Sequence, residues 1–89
     1  MRIEFDPLKD RANIANHGVS LALAVELDWN AALVWIDERY EYEELRMIAL
    51  APETAILYYV TFVERGDATR IISLRRATRH EVKHYVQNI

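Results

Sequence analysis

The chain has 89 residues, no cysteine and a formal charge of −3, with 52% hydrophobic and 28% charged residues. That suffices for one core in a single domain, 1–89, and it excludes disulfides and thiolate metal sites, which suits a reducing, cytoplasmic setting. The opening Met-Arg-Ile-Glu-Phe-Asp lacks an apolar h-region, and no later run approaches the roughly 18 apolar residues of a membrane span, so neither export nor insertion is expected.

Ile3 and Phe5 alternate with charged neighbours from Arg2 onward, which predicts a short half-buried strand. Asp6-Pro7 then starts a helix, because Asp is a favoured N-cap and Pro suits the first helical position. The helix runs to His17, where Gly18 supplies the left-handed residue that ends it. Lys9, Asn13, Asn16 and His17 form a polar stripe along it. Ser20 caps a second predicted helix that ends near Leu27 or Asp28. Strand periodicity follows over 31–37, 45–51, 56–63 and 69–75. The short connections favour an antiparallel meander, and Thr78 with Glu81 forms the capping box of a C-terminal helix. The expected fold is α+β, in the order β-α-α-β-β-β-β-α, with helices on one face of a mostly antiparallel sheet. Alternation in the last strand puts Ile72 and Leu74 on one face and Ile71, Ser73 and Arg75 on the other. Register decides whether Tyr58 or Tyr59 lies beside Arg75. In the last helix, Val82, Tyr85, Val86 and Ile89 have the spacing of one buried stripe, leaving Arg79, His80, Lys83 and His84 outside.

Charge is segregated along the chain. From Arg65 to Val86, six Lys or Arg face only Asp67 and Glu81, whereas Glu26 to Glu53 holds eight acids against Arg39 and Arg46. Although the ordinary reading of such a cluster is a solvated helix face, a cationic patch on an acidic body can hold phosphate.

Two blocks carry a family resemblance: Phe5-Asp6-Pro7-Leu8-Lys9, Asn13 and His17-Gly18-Val19-Ser20, then Arg70-Ile71-Ile72-Ser73-Leu74-Arg75-Arg76-Ala77-Thr78-Arg79-His80-Glu81 with Tyr85. In order and spacing the chain resembles the BrnT toxins of type II toxin–antitoxin systems along its whole length. The resemblance implies a RelE-like fold and a metal-independent ribonuclease that cleaves RNA and arrests translation. It also implies neutralisation by a BrnA-like DNA-binding antitoxin. The implied complex is a hetero-oligomer, with two copies of each partner as one composition. The chain departs from the family pattern at Asn16, where Lys is usual before the His, at Phe5, where Trp is common, and at Ala49, where Gly is frequent.

Metal-free RNA cleavage needs a base for the 2′-hydroxyl, positive charge on the phosphorus oxygens and an acid for the 5′-oxygen. Arg70, Arg75 and Arg79 suit the middle task because guanidinium holds two phosphate oxygens and keeps its charge, and Arg75 is the first choice. His17 is the natural acid or base, since imidazole titrates near neutrality, although a His before a terminating Gly also suits helix carbonyls. Further RNA contacts are expected from Lys9, Arg65, Arg76, His80, Lys83 and Tyr85. His80 and His84, with Glu81 between them, have the i, i+4 spacing of a metal pair, but no metal and no cofactor is expected. The competing reading is a catalytically silent RNA- or protein-binding module, motivated by Asn16. An antitoxin segment with acidic residues and an apolar stripe would suit Arg70, Arg75, Arg79 and Lys83 and cover apolar surface beside the last helix.

Overall fold

The computed structural model describes residues 1–39, 41 and 43–89. Strand β1 (Arg2–Glu4) leads into helix α1 (Pro7–His17). Two 3₁₀ segments follow, Leu21–Glu26 and Trp29–Ala31, then β2 (Leu33–Ile36), β3 (Met47–Glu53), β4 (Ile56–Arg65), β5 (Ala68–Arg76) and helix α2 (Arg79–Gln87). The sheet order is β1-β5-β4-β3-β2. β2 to β5 form the expected antiparallel meander, and β1 adds to β5 as a parallel edge, pairing Arg2 to Glu4 with Ala68 to Arg70. The α+β class holds.

The helix boundaries follow local chemistry. Asp6 Oδ1 accepts from Leu8 N at 2.8 Å, and Gly18 closes α1 at φ 75, a left-handed conformation costly for a residue with a Cβ. Both bonds of the capping box at Thr78 and Glu81 are present. The second predicted helix is instead the six-residue 3₁₀ segment Leu21–Glu26. Ser20 caps it as expected, and Leu21, Ala24 and Leu27 bury against the sheet. At two turns of 3₁₀ geometry it serves as a lid on the core.

A β-bulge corrects the alternation expected for β5. Thr61 pairs Ser73 but Phe62 pairs Ile71, so Ile72 is an extra residue and the strand changes phase there. Ile71 and Leu74 therefore share a face with Tyr58, Val60 and Phe62, and all five are buried with Ala49 and Ala51 beneath Leu21, Ala24 and Leu27. The opposite face carries Trp35, Tyr59, Thr61, Val63, Arg70, Ser73 and Arg75.

Helices do not keep to one side. The 3₁₀ segment covers the core face, whereas α2 meets the other: His84 lies edge-on to Trp35 at 6.0 Å between ring centroids, and Glu81 holds Arg75. The expected buried stripe of α2 is largely exposed, with Val82, Val86 and Ile89 at 40%, 61% and 78% and only Tyr85 half-buried. The sheet-facing contacts of α2 are polar and aromatic ones from Glu81, His84 and Tyr85, so its aliphatic side is left outward. The Tyr85 hydroxyl donates to Ala31 O at 2.6 Å, tying the helix to the end of the second 3₁₀ segment, just before β2.

Candidate anion site on the second sheet face

α1 runs beside β5 because Asn13, its one buried residue, reaches the strand beyond the end of β1. Asn13 Oδ1 accepts from Leu74 N at 3.1 Å, and Nδ2 donates to Leu74 O and to Val19 O, both at 2.8 Å. The polar stripe of α1 is thereby fixed alongside β5. Of the other stripe residues, Lys9, Asn16 and His17 are exposed.

Arg75 follows Leu74 and projects onto the second face. Register selects Tyr59, paired directly with Arg75, and the guanidinium carbon lies 4.1 Å from the Tyr59 ring centroid. Nη1 donates to Glu81 Oε1 at 2.8 Å and to Arg76 O at 3.2 Å, while Nη2 donates to Glu81 Oε2 at 2.9 Å. Glu81 Oε1 also accepts from Thr78 N at 2.8 Å, so one carboxylate both caps α2 and orients the arginine. Bonding to Arg75 holds the Glu81 carboxyl below its ordinary range. Of the five guanidinium hydrogens, those on Nε and one on Nη2 have no described partner. They lie on one side of the fork, where two phosphate oxygens can be held together.

A second group of cations lies toward the other end of β5. Lys9, Arg46, Arg65 and Arg70 line a cavity of about 320 Å³ with Glu43, Glu44, Val63 and Ile72. Arg70 stands 3.6 Å from Glu4 and Arg65 is paired with Glu44. The bulge residue Ile72 forms part of this wall. A larger groove of about 560 Å³, bordered by Met1, Trp29, Val34, Leu45, Met47 and Phe62, is apolar, and among the described residues its charged side chains are Glu44 and Glu64. Its chemistry does not suit phosphate.

The fold thus brings Lys9, Arg65 and Arg70 together and sets Arg75 on the same face. Arg76 pairs with Tyr58 and belongs to the opposite face, exposed at the end of β5. Arg79, His80 and Lys83 are exposed on α2, and the Tyr85 hydroxyl is engaged by Ala31. His17 ends α1 one turn beyond Asn13. Among the described residues, no group of three His, Asp or Glu converges in a way that could hold a metal ion. Sequence reading missed Arg46 in the cavity and the orienting role of Glu81, for which the capping motif was the only local signal.

An arginine fork held by a carboxylate and an aromatic ring, together with further cations, gives this small α+β domain one cationic sheet face. A family model described as "Ribonuclease toxin, BrnT, of type II toxin-antitoxin system" matches residues 5–81, and the chain belongs to that family. RNA as target and an antitoxin as partner come with membership. No curated protein matches the chain. The matched span takes in both motif blocks and the Arg75–Glu81 pair, but ends before Lys83 and Tyr85. No helix among the described residues is long and apolar enough to cross a membrane.

Proposed function

We propose that the chain is a metal-independent endoribonuclease of the cytoplasm that arrests translation by transesterifying RNA, and that Arg75 is its central phosphate ligand. The observation that carries this reading is the unspent edge of the Arg75 fork, pre-ordered by Glu81 and Tyr59. Charge held in place before substrate arrives stabilises the added negative charge on phosphorus without reorganisation. Arg70, Lys9 and Arg65 attract the backbone on one side of Arg75, and Arg79, His80 and Lys83 on the other, with Arg76 at the strand end and Tyr85 positioning α2.

His17 is the proton-transfer group in this reading. Asn13 bonds Leu74, next to Arg75 in sequence, and one helical turn advances about 6 Å, so α1 carries the imidazole toward the Arg75 end of β5. Expression of the chain without its antitoxin should stop growth and fragment RNA, and purified protein should cleave in the presence of EDTA. Arg75→Ala should be harmless. Intact RNA at high wild-type levels overturns the reading.

Asn16 favours a second reading. A neutral amide replaces the usual cation beside His17, and a protein that binds RNA with salt-sensitive affinity yet yields no product would be a silent module of the same fold. Recovery of cleavage in Asn16→Lys would mark it as a decayed enzyme.

The antitoxin, a BrnA-like DNA-binding protein in this proposal, covers α2. Val82, Val86 and Ile89 form an exposed aliphatic stripe at i, i+4, i+7, and Arg79 and Lys83 flank it. An acidic segment with its own apolar face matches both features.

A further inference from the structure

We propose that the cavity between α1 and the turn end of β4 and β5 is a second phosphate subsite, and that Glu44 occupies it as an internal carboxylate which RNA phosphate displaces. The inference rests on the ribonuclease reading and adds to it a second backbone contact and a built-in competitor.

Arg65 uses the side edge of its guanidinium, the edge that remains available on Arg75. Nε donates to Glu44 Oε2 at 2.8 Å and Nη2 to Glu44 Oε1 at 2.5 Å. This two-point arrangement is the one an arginine makes with phosphate, so the carboxylate oxygens mark where phosphate oxygens would lie. Lys9, Arg46 and Arg70 complete the cationic lining. The last β3–β4 pair at this end is Met47 with Phe62, and Glu44, three residues before β3, reaches Arg65 from the segment that leads into the strand.

The two carboxylates that grip arginines on this face differ in permanence. Glu81 also caps α2 and is 21% exposed, with Arg75 at 31%, so that pair is part of the framework. Glu44 and Arg65 are 48% and 45% exposed, and apart from Arg65 no hydrogen-bond partner holds Glu44 among the described residues. A solvated ion pair contributes little stability and exchanges readily for an equivalent anion. A phosphate that neighbours Lys9 and Arg70 as well as Arg65 is the better-matched occupant.

Distance decides that this is a separate subsite. Arg70 and Arg75 are five residues apart along β5, roughly 15 Å at strand rise even with a bulge between them. No single phosphate spans that gap, whereas one RNA strand crossing the face reaches both.

The test measures binding of a short 2′-O-methyl oligoribonucleotide, which lacks the attacking hydroxyl, over a range of salt. Glu44→Gln should tighten binding by roughly two- to fivefold, the range set by loss of an exposed ion pair, because the same phosphate then binds without displacing a carboxylate. Arg65→Gln should weaken binding and flatten its logarithmic dependence on salt. Unchanged thermal unfolding would show that both variants fold. If Glu44→Gln leaves affinity untouched while Arg75→Gln weakens binding, RNA crosses elsewhere and the subsite is overturned, with the ribonuclease reading intact. If neither wild type nor any variant binds, that reading fails and the subsite falls with it.

Discussion

Asn13 makes with one side chain both hydrogen bonds that a neighbouring strand would have made to Leu74. β1 pairs β5 only as far as Arg70, and the amide takes over the open edge four residues later. A buried donor or acceptor left unpaired costs about 1–3 kcal/mol. Asn13→Ala strands Leu74 N and Leu74 O and should lower stability by about 2–4 kcal/mol in urea unfolding. Asn13→Asp keeps an acceptor for Leu74 N but turns a carboxylate toward two carbonyl oxygens, so its deficit should shrink on acidification as the side chain regains a donor. A loss under 0.5 kcal/mol for Asn13→Ala would mean that water replaces the amide.

The Arg75–Glu81 pair gives the chain an acid-sensitive contact. Hydrogen bonding from Arg75, above all, depresses the Glu81 carboxyl from its ordinary value of 4.5 in the folded state. The unfolded chain therefore binds the proton more readily. The stabilisation is present above pH 4.5 and is lost as pH falls from there through the depressed folded value. Glu81→Gln should flatten that part of the stability profile. It should also reduce RNA cleavage at neutral pH, because Arg75 loses the charged partner that aims it. A stability profile below pH 5 identical to wild type would count against the pair.

Local chemistry made the element boundaries legible: Asp6-Pro7, Gly18, and Thr78 with Glu81 each specify a helix end within a few residues. Strand periodicity likewise located the meander. What remained hidden depends on non-local geometry. The bulge at Ile72 reverses the facing of Ile71, which strict alternation assigns to the wrong side. Glu44 and Arg65 are 21 residues apart in sequence and meet because the segment before β3 lies beside the end of β4. The apolar spacing of Val82, Val86 and Ile89 predicts burial, yet nothing in spacing alone distinguishes a core stripe from one left outward. Arg75 was identifiable from its motif, but its spare donors depend on where Glu81 and Tyr59 place the fork.

Thr54 is a β-branched residue in the left-handed region, with φ 49, in the two-residue turn between Glu53 and Ile56. That conformation costs an L-residue about 1–2 kcal/mol, whereas Gly adopts it freely but loses more entropy on folding. Thr54→Gly should therefore stabilise the chain by roughly 0.5–1 kcal/mol, raising Tm by about 2–8 °C in a domain of this size. The exposed bond from Thr54 Oγ1 to Glu53 O is a small loss against that gain. A lower Tm for Thr54→Gly would show that this hydroxyl outweighs the backbone strain.

The antitoxin surface proposed on α2 separates charge from burial, and kinetics can resolve the two. Arg79 and Lys83 are exposed, so their charges attract an acidic segment over a distance limited by salt, while Val82, Val86 and Ile89 supply area that is desolvated only after contact. Reversing both cations, Arg79→Glu with Lys83→Glu, should slow association at least tenfold at low salt and by much less at high salt. It should change the off-rate less than the on-rate. Val86→Ser should do the opposite, leaving association nearly unchanged and shortening the lifetime of the complex, because removing buried apolar area acts after docking. If the double reversal and Val86→Ser both leave both rates untouched in a complex that still forms, the antitoxin binds away from α2 and silences the toxin by distortion or by blocking RNA at a distance.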